Sequence, residues 1–176
     1  MSLFRFLGLS AGPAPDVREP ESLREIGARL ASLPPEDARF VAAFAYLLAR
    51  VAGADLATAS DERTTMVERL EQAAGLEPDR AAILADAAIA AADVHSASDD
   101  HLVARAYREM SSDDERRLLV RCLYAVAAAD ASITTVEDNE IFEIATEIGL
   151  GRTDVVALRA EFREHLVVLK ALPRER

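Results

Sequence analysis

The sequence predicts an all-α protein, a compact helical domain of about seven or eight helices, and three observations lead to this prediction. Apolar residues recur at three- and four-residue spacing, and no segment alternates with period two over the length of a strand. The chain has 176 residues, of which 51% are apolar but only 5% aromatic, so its core must consist mainly of Ala, Leu, Val and Ile, as in closely packed helices. In addition, one stretch occurs twice, which predicts two helix-turn-helix repeats.

The repeated stretch is an Ala-rich helical run that ends at an aspartate and is followed by a glutamate. The two copies align at Asp55 and Asp130, and Glu62 then corresponds to Glu137 because each glutamate lies seven residues after its aspartate. A glycine-leucine pair follows in each copy, and glycine commonly ends a helix. Each copy therefore predicts a helix, a short turn, a second helix and a stop. The repeats cover about residues 40–76 and 116–150 and end at Gly75-Leu76 and Gly149-Leu150.

The first 20 residues differ in composition from the rest of the chain. Ser2–Leu9 is apolar but too short to cross a membrane, and it lacks a cleavage-site pattern. Gly12–Pro20 contains three prolines, which is typical of a linker. We therefore expect residues 1–20 to be an apolar segment with a linker and residues 21–176 to form the domain. In that domain, apolar residues first recur at helical spacing over Glu21–Leu33. These residues are Leu23, Ile26, Leu30 and Leu33.

The two repeats should each begin with a central helix. Phe40–Ala54 is apolar on all sides except for Arg50, which predicts a helix enclosed by others. Ser112 and Glu115 have the spacing of a capping box and should start the second central helix, Arg116–Ala129. We expect these two helices to pack against each other. The remaining predicted helices are Ser60–Ala74, Pro78–Val94, His101–Met110, Thr135–Ile148 and Thr153–Leu172.

The charge of the chain limits its partners. The formal net charge of −11 repels nucleic acid and anionic lipid and favours cations or basic protein surfaces, so we expect protein partners and no nucleic acid. Nothing argues for an oxidising compartment, because the single cysteine, Cys122, lies in an apolar run and reads as a core residue. We expect a cytoplasmic protein whose apolar N-terminal residues are candidates for docking to a membrane or a membrane-associated protein. These residues are Leu3, Phe4, Phe6 and Leu7.

The repeated turns suggest a cation site. Asp55 and Asp130 stand at helix C-termini, where the helix dipole disfavours an anion by about 0.3 to 1 kcal/mol, and a hard cation with oxygen ligands would offset this cost. Glu62 and Glu137 lie close enough in sequence to reach back towards these aspartates. A metal-free interpretation remains open, because Thr134 and Glu137 form a capping box by spacing and Asp130 can stabilise its own turn. The calcium-loop pattern of an EF-hand is absent.

An enzymatic function finds less support. The chain contains no Gly-rich phosphate loop, no GxSxG or HExxH motif and no Cys/His ligand pair. We therefore expect no catalytic activity. Glu140, Glu143 and Glu147 extend an acidic stripe along the helix after the second turn, and we expect this stripe to be a solvated face.

The repeated A-D-x(6)-E turn behind an Ala-rich helix, together with the stretch from Arg116 to Val155, resembles the TerB-like tellurite-resistance family over about Pro35–Arg163. The chain is similar to the stand-alone TerB-like subgroup, in which an acidic segment precedes a helix like that over His101–Met110. The resemblance implies an all-helical fold, a role in tellurite or chemical stress, and a metal site. The implied ligands are Asp55, Glu62, Asp130 and Glu137.

Two points qualify what the resemblance implies. The family usually has glycine after the aspartate, whereas this chain has Leu56 and Ala131, which restricts left-handed turn conformations. Tellurite is an oxyanion, so we expect no direct tellurite binding by this acidic chain. Two functions stay open: a module that binds a divalent cation, with Ca²⁺ or Mg²⁺ favoured, and a metal-free helical scaffold for protein interactions.

Overall fold

The computed structural model describes Leu30 and residues 35–52, 60–92, 100–128 and 132–170, and these residues are almost entirely helical. Eight helices have their bounds within the described residues. They are α1 (Pro35–Ala52), α2 (Ser60–Ala74), α3 (Pro78–Ala92), α4 (Asp100–Met110), α5 (Asp113–Ala127), α6 (Thr135–Glu147), α7 (Arg152–Glu161) and α8 (Val167–Lys170). The predicted all-α class is confirmed. The predicted helix over Glu21–Leu33 and the apolar N-terminal residues lie outside the described residues, apart from Leu30.

The ends of several helices follow the sequence signals. Pro35 is the first residue of α1, where its missing N–H costs no helical hydrogen bond. At the end of α6, Gly149 has φ +80°, its N–H donates to the Thr146 carbonyl, and the Leu150 N–H donates to the Ala145 carbonyl. This is a Schellman motif, which explains the predicted glycine-leucine stop. A side chain at Gly149 would also collide with Arg108, since an added Cβ would lie 2.7 Å from the Arg108 Nε atom.

The prediction of one long last helix over Thr153–Leu172 is wrong. Instead, α7 ends at Glu161 and α8 begins at Val167. Between them the chain forms an isolated parallel bridge, in which the Ile133 N–H donates to the His165 carbonyl at 2.7 Å and the Val167 N–H donates to the Ile133 carbonyl at 3.0 Å. Ile133 and Leu166 are both buried. A pairing with a distant segment thus takes the backbone groups that a continuous helix would use.

The two central helices form the middle of the domain. Helix α1 packs against α3, α4, α5 and α6, and α5 also packs against α2, α6 and α7. Leu48 of α1 and Leu123 of α5 are fully buried. The expected contact between the central helices is therefore present. Cys122 is buried in the same core, as predicted. None of the described helices is both long and apolar enough to cross a membrane.

Helix boundaries in the two halves correspond. Helix α1 ends at Ala52 and α2 begins at Ser60, while α5 ends at Ala127 and α6 begins at Thr135, so 127 minus 52 and 135 minus 60 both give 75. This is the same offset that relates Asp55 to Asp130. The helix that follows each turn packs against the central helix of the other half, since α2 contacts α5 and α6 contacts α1.

Candidate site around the two repeated turns

The structure describes the four predicted metal ligands to different extents. Asp55 and Asp130 lie outside the described residues. Glu62 is the third residue of α2, but only its helical backbone is described. Glu137 is the third residue of α6 and is described in full. The two glutamates thus occupy equivalent positions in the helices that follow the turns, and whether the four carboxylates meet stays a prediction.

Glu137 completes a capping box at the start of α6. Its Oε2 atom accepts a hydrogen bond from the Thr134 backbone N–H at 2.7 Å, and its own N–H donates to the Thr134 Oγ1 atom at 3.2 Å. Both bonds satisfy donors that a helix N-terminus leaves unpaired, and the carboxylate also suits the positive end of the helix dipole. The metal-free role considered for Glu137 is therefore present. A carboxylate has further lone pairs, so this bond still leaves acceptor capacity for a cation.

The next residue, Asp138, joins three helices. Its carboxylate accepts hydrogen bonds from the Arg159 guanidinium of α7, the shortest at 2.7 Å, and from the Tyr124 hydroxyl of α5 at 3.2 Å. Burial raises the pKa of the Tyr124 phenol, and the negative charge of Asp138 adds to this effect. The Asp138 carboxylate thus connects α6 to α5 and α7.

An ion cluster that the sequence did not predict lies beside α6. The side chain of Arg50, on α1, is only 6% exposed. Its Nε atom lies 2.5 Å from Glu140 Oε1, and its Nη1 atom lies 2.6 Å from Glu147 Oε2. Two more carboxylates lie near the guanidinium. Asp100 Oδ2 is 3.3 Å from Arg50 Nε, and Glu143 Oε1 is 3.9 Å from Arg50 Nη2. We call these five residues the Arg50 cluster.

The prediction of a solvated acidic face is therefore wrong for two of its three residues. The side chains of Glu140 and Glu147 are 31% and 24% exposed and bind Arg50, whereas Glu143 is 63% exposed and lies at the edge of the cluster. The sequence did not reveal that Arg50 is the partner of these two glutamates, because Arg50 lies 90 or more residues away from them in sequence. One signal was available: Arg50 is the only charged residue in the predicted central helix.

The electrostatics of the cluster keep Arg50 charged. Burial by itself would lower the pKa of the guanidinium, but hydrogen bonds and charge attraction from Glu147 and Glu140 outweigh it, so the net pKa is raised. A permanently charged arginine that is bound by carboxylates can organise helices but cannot act as a base or a nucleophile. Cys122 is fully buried, and burial raises the pKa of its thiol to about 12, which disfavours the thiolate form.

Metal-binding geometry is not evident in the part of the chain described here. Among these residues, no three His, Cys, Asp or Glu side chains are grouped so that they could hold an ion. This finding includes Glu137 but not the side chains of Asp55, Glu62 and Asp130. The predicted site of four carboxylates therefore stays a prediction, and the position of Glu137 is compatible with both a cap and a ligand.

Comparison with known proteins identifies the family. The family model described as tellurite resistance protein TerB matches residues 40–160, which contain both central helices and both repeated turns. No curated protein and no solved structure matches the chain. The match covers more than half of the sequence and agrees with the helical fold. This chain therefore belongs to the TerB family of tellurite resistance proteins.

Proposed function

We propose that this protein is a non-enzymatic module of the tellurite or chemical stress response that binds a divalent cation, Ca²⁺ or Mg²⁺, at its two repeated turns. The ligands would be Asp55, Glu62, Asp130 and Glu137. One observation carries the proposal: Glu62 and Glu137 are each the third residue of a helix that follows a central helix, at the same 75-residue offset (137 minus 62) as the helix boundaries. Equivalent placement of acidic residues in two halves that pack against each other favours one shared site.

The packing of the halves supports this interpretation. Because α2 contacts α5 and α6 contacts α1, the helix after each turn lies against the helix that precedes the other turn. Carboxylates brought together in this way would repel one another, and a hard cation relieves such repulsion by taking their oxygens as ligands.

The second candidate is a metal-free scaffold that binds other proteins. The capping box of Glu137 favours it, because the cap alone accounts for a glutamate at this position. The two candidates differ in what a cation does to stability. A ligand that binds only the folded state stabilises it, by about 2.7 kcal/mol at a hundredfold excess over Kd, whereas a scaffold without a site gains nothing.

The chain offers a matched control for this test. Glu115 caps α5 as Glu137 caps α6, since its Oε2 atom accepts from the Ser112 N–H at the same distance of 2.7 Å. Glu137→Gln and Glu115→Gln should therefore weaken comparable caps by about 0.3 to 1 kcal/mol, because Gln can still accept the hydrogen bond but loses the charge at the helix N-terminus. Only Glu137 belongs to the proposed cation site.

The experiment measures the melting temperature of the parent and of both variants with and without millimolar Ca²⁺, Mg²⁺, Mn²⁺ or Zn²⁺. A cation site predicts a rise in the parent and in Glu115→Gln, and a smaller rise in Glu137→Gln. Combining Asp130→Asn with Glu137→Gln should abolish the rise. If no cation changes the melting temperature of the parent, the cation proposal fails and the scaffold remains.

A further inference from the structure

An apolar groove opens between the first turns of α1, the first half of α3 and the corner between α4 and α5. Its volume is about 710 Å³, within the range of about 300 to 1,000 Å³ that is typical of small-molecule sites. Its walls consist mostly of apolar side chains, with two charged ones. The apolar residues used below are Phe40, Phe44, Ile83 and Met110, and the charged residues are Arg80 and Glu115.

Aromatic rings make one wall of the groove apolar. Phe40 and Phe44 line it with their ring centroids 6.1 Å apart, and the ring of the fully buried Tyr107 lies 5.3 Å from that of Phe40. The Tyr107 hydroxyl donates to the Glu115 carbonyl at 2.9 Å, so it already has a partner. Met110 is 37% exposed and faces this wall without being covered by it. The groove can therefore receive an apolar chain or ring, whose burial is favourable.

The two charged residues of the groove differ in their partners. The Glu115 Oε2 atom accepts hydrogen bonds at 2.7 Å from the backbone N–H and the hydroxyl of Ser112, so this carboxylate is held at the start of α5. Arg80 is exposed and is the third residue of α3. Within the described part of the chain, it forms no ion pair with Glu115 or with any other carboxylate. Its guanidinium is therefore available to a ligand, and its planar donors match the two oxygens of a carboxylate.

Arg80 and an apolar wall lie on the same side of α3. Ile83 and Leu84 follow Arg80 by three and four residues, the spacing that places side chains next to each other on a helix, and all three line the groove. A ligand whose chain lies against Ile83 thus has its head group next to Arg80. The net charge of −11 opposes any anion, but charges more than about 8 Å away are largely screened at physiological ionic strength. The adjacent guanidinium therefore has the greater influence.

We propose that this groove binds a small amphipathic carboxylate, such as a medium-chain fatty acid, with its chain against Ile83 and Met110 and its carboxylate on Arg80. The apolar walls supply most of the affinity, and the arginine selects an anionic head group over a neutral one. An apolar protein segment is a poorer fit, because it would leave the guanidinium without a partner. This inference is independent of the cation proposal, since it involves none of the four carboxylates.

Isothermal titration calorimetry of the full-length protein with decanoate tests the proposal. The neutral analogue decan-1-ol should bind the parent more weakly, because it cannot pair with Arg80. Arg80→Gln should weaken the binding of decanoate by about fivefold, near the upper limit for an exposed ion pair, and should leave the binding of decan-1-ol unchanged. Arg80→Lys keeps the charge but not the planar donors, so it should recover part of the loss.

The matched control is Arg152→Gln. Arg152 is also exposed, lies in the first turn of α7 and does not line the groove. Its substitution removes the same charge and should leave the affinity for decanoate unchanged. An equal loss in Arg80→Gln and Arg152→Gln would mean that decanoate responds only to net charge, which overturns the proposal. Equal affinities of the parent for decanoate and decan-1-ol would overturn it as well.

A second measurement locates the bound ligand in the unchanged chain. A decanoate that carries a photoreactive diazirine at the end of its chain is crosslinked to the protein, and the crosslinked peptides are identified by mass spectrometry. The proposal predicts crosslinks in the peptides that contain Phe40, Ile83 or Met110. Crosslinks confined to other peptides would contradict it. If decanoate does not bind at millimolar concentration, the proposal is wrong and the groove is left to a protein segment.

Discussion

Helices α1 and α5 hold corresponding central positions in the two halves, but they place their charges differently. Between Phe40 and Ala52, α1 has one charged residue, Arg50, and its side chain is 6% exposed. Helix α5 carries arginines on a more open face, for example Arg121, whose side chain is 34% exposed and pairs with Glu161. The residue of α5 that corresponds to Arg50 is Ala125, because 50 plus 75 is 125, and it is buried.

The two corresponding helices therefore use their charged residues differently: α1 holds a buried charge, and α5 carries charges near the surface. Among the described helices, α3, α4, α5 and α6 pack against α1, so a charge on it is stable when neighbours supply carboxylates, and α6 and α4 do so in the Arg50 cluster. A buried charge that is paired and hydrogen-bonded fixes the positions of its partners. Arg50 therefore links the two halves, whereas the arginines of α5 pair near the surface.

The largest expected effect tests what the two helices share. Leu48 and Leu123 correspond by the 75-residue offset (123 minus 48), and both are fully buried. Replacing either leucine by alanine should lower the free energy of unfolding by about 2 to 5 kcal/mol, because each change leaves a cavity. Urea denaturation gives the values. Leu118→Ala, at a partly buried position of α5, should cost less, and a loss near zero at Leu48 or Leu123 would contradict the central placement of that helix.

The next effect separates the two helices. Arg50→Met should lower the free energy of unfolding by roughly 3 kcal/mol, because Glu140 and Glu147 lose the cation that pairs them in a partly buried site. Arg121→Met removes a more exposed pair and should cost less than about 1 kcal/mol. Denaturation of both variants makes the comparison.

A variant that combines three substitutions sharpens this result. Adding Glu140→Gln and Glu147→Gln to Arg50→Met removes the uncompensated charges and should recover part of the loss. Equal losses for Arg50→Met and Arg121→Met, with no recovery, would show that the Arg50 cluster contributes no more than a surface pair.

The smallest effect concerns a thiol that only α5 carries. Cys122 corresponds to Leu47 of α1 (47 plus 75), and burial raises its pKa to about 12. Since the folded pKa lies above the ordinary value of about 8.5, the stabilisation is complete below that value and is lost as the pH rises towards 12. The effect is absent at neutral pH, and over about pH 9 to 11 this thiol should make the free energy of unfolding fall as the pH rises.

Cys122→Ala isolates that contribution. The variant should have a lower free energy of unfolding at neutral pH. At alkaline pH its free energy of unfolding should fall less steeply with pH than that of the parent, because unfolding no longer releases the thiol proton. Denaturation at several pH values measures both slopes. The tyrosines Tyr107 and Tyr124, whose pKa values burial also raises, remain in both proteins and should keep part of the decline. Parallel curves for parent and variant would mean that the folded protein ionises the thiol as readily as the unfolded chain.

Local signals explain how much of the fold could be predicted. The bounds of α2 agree with the prediction, and those of α6 differ by one residue, because a capping box and a glycine in a left-handed conformation act within a few residues. At the candidate site, the sequence predicted two alternative roles for Glu137, a helix cap and a metal ligand, and the cap is present in the structure. It did not predict the Arg50 cluster, although the lone arginine was visible.

The sequence by itself determined the helical class, the two central helices, the corresponding turns and the family, because periodicity, caps and repeats are properties of neighbouring residues. Only the tertiary structure decided that Arg50 binds Glu140 and Glu147, and that the bridge of Ile133 with Leu166 splits the last predicted helix. These contacts join residues 33 to 97 positions apart, as 166 minus 133 and 147 minus 50 give. Their stability depends on burial and on partners that meet only in the folded chain, so local patterns do not identify those partners.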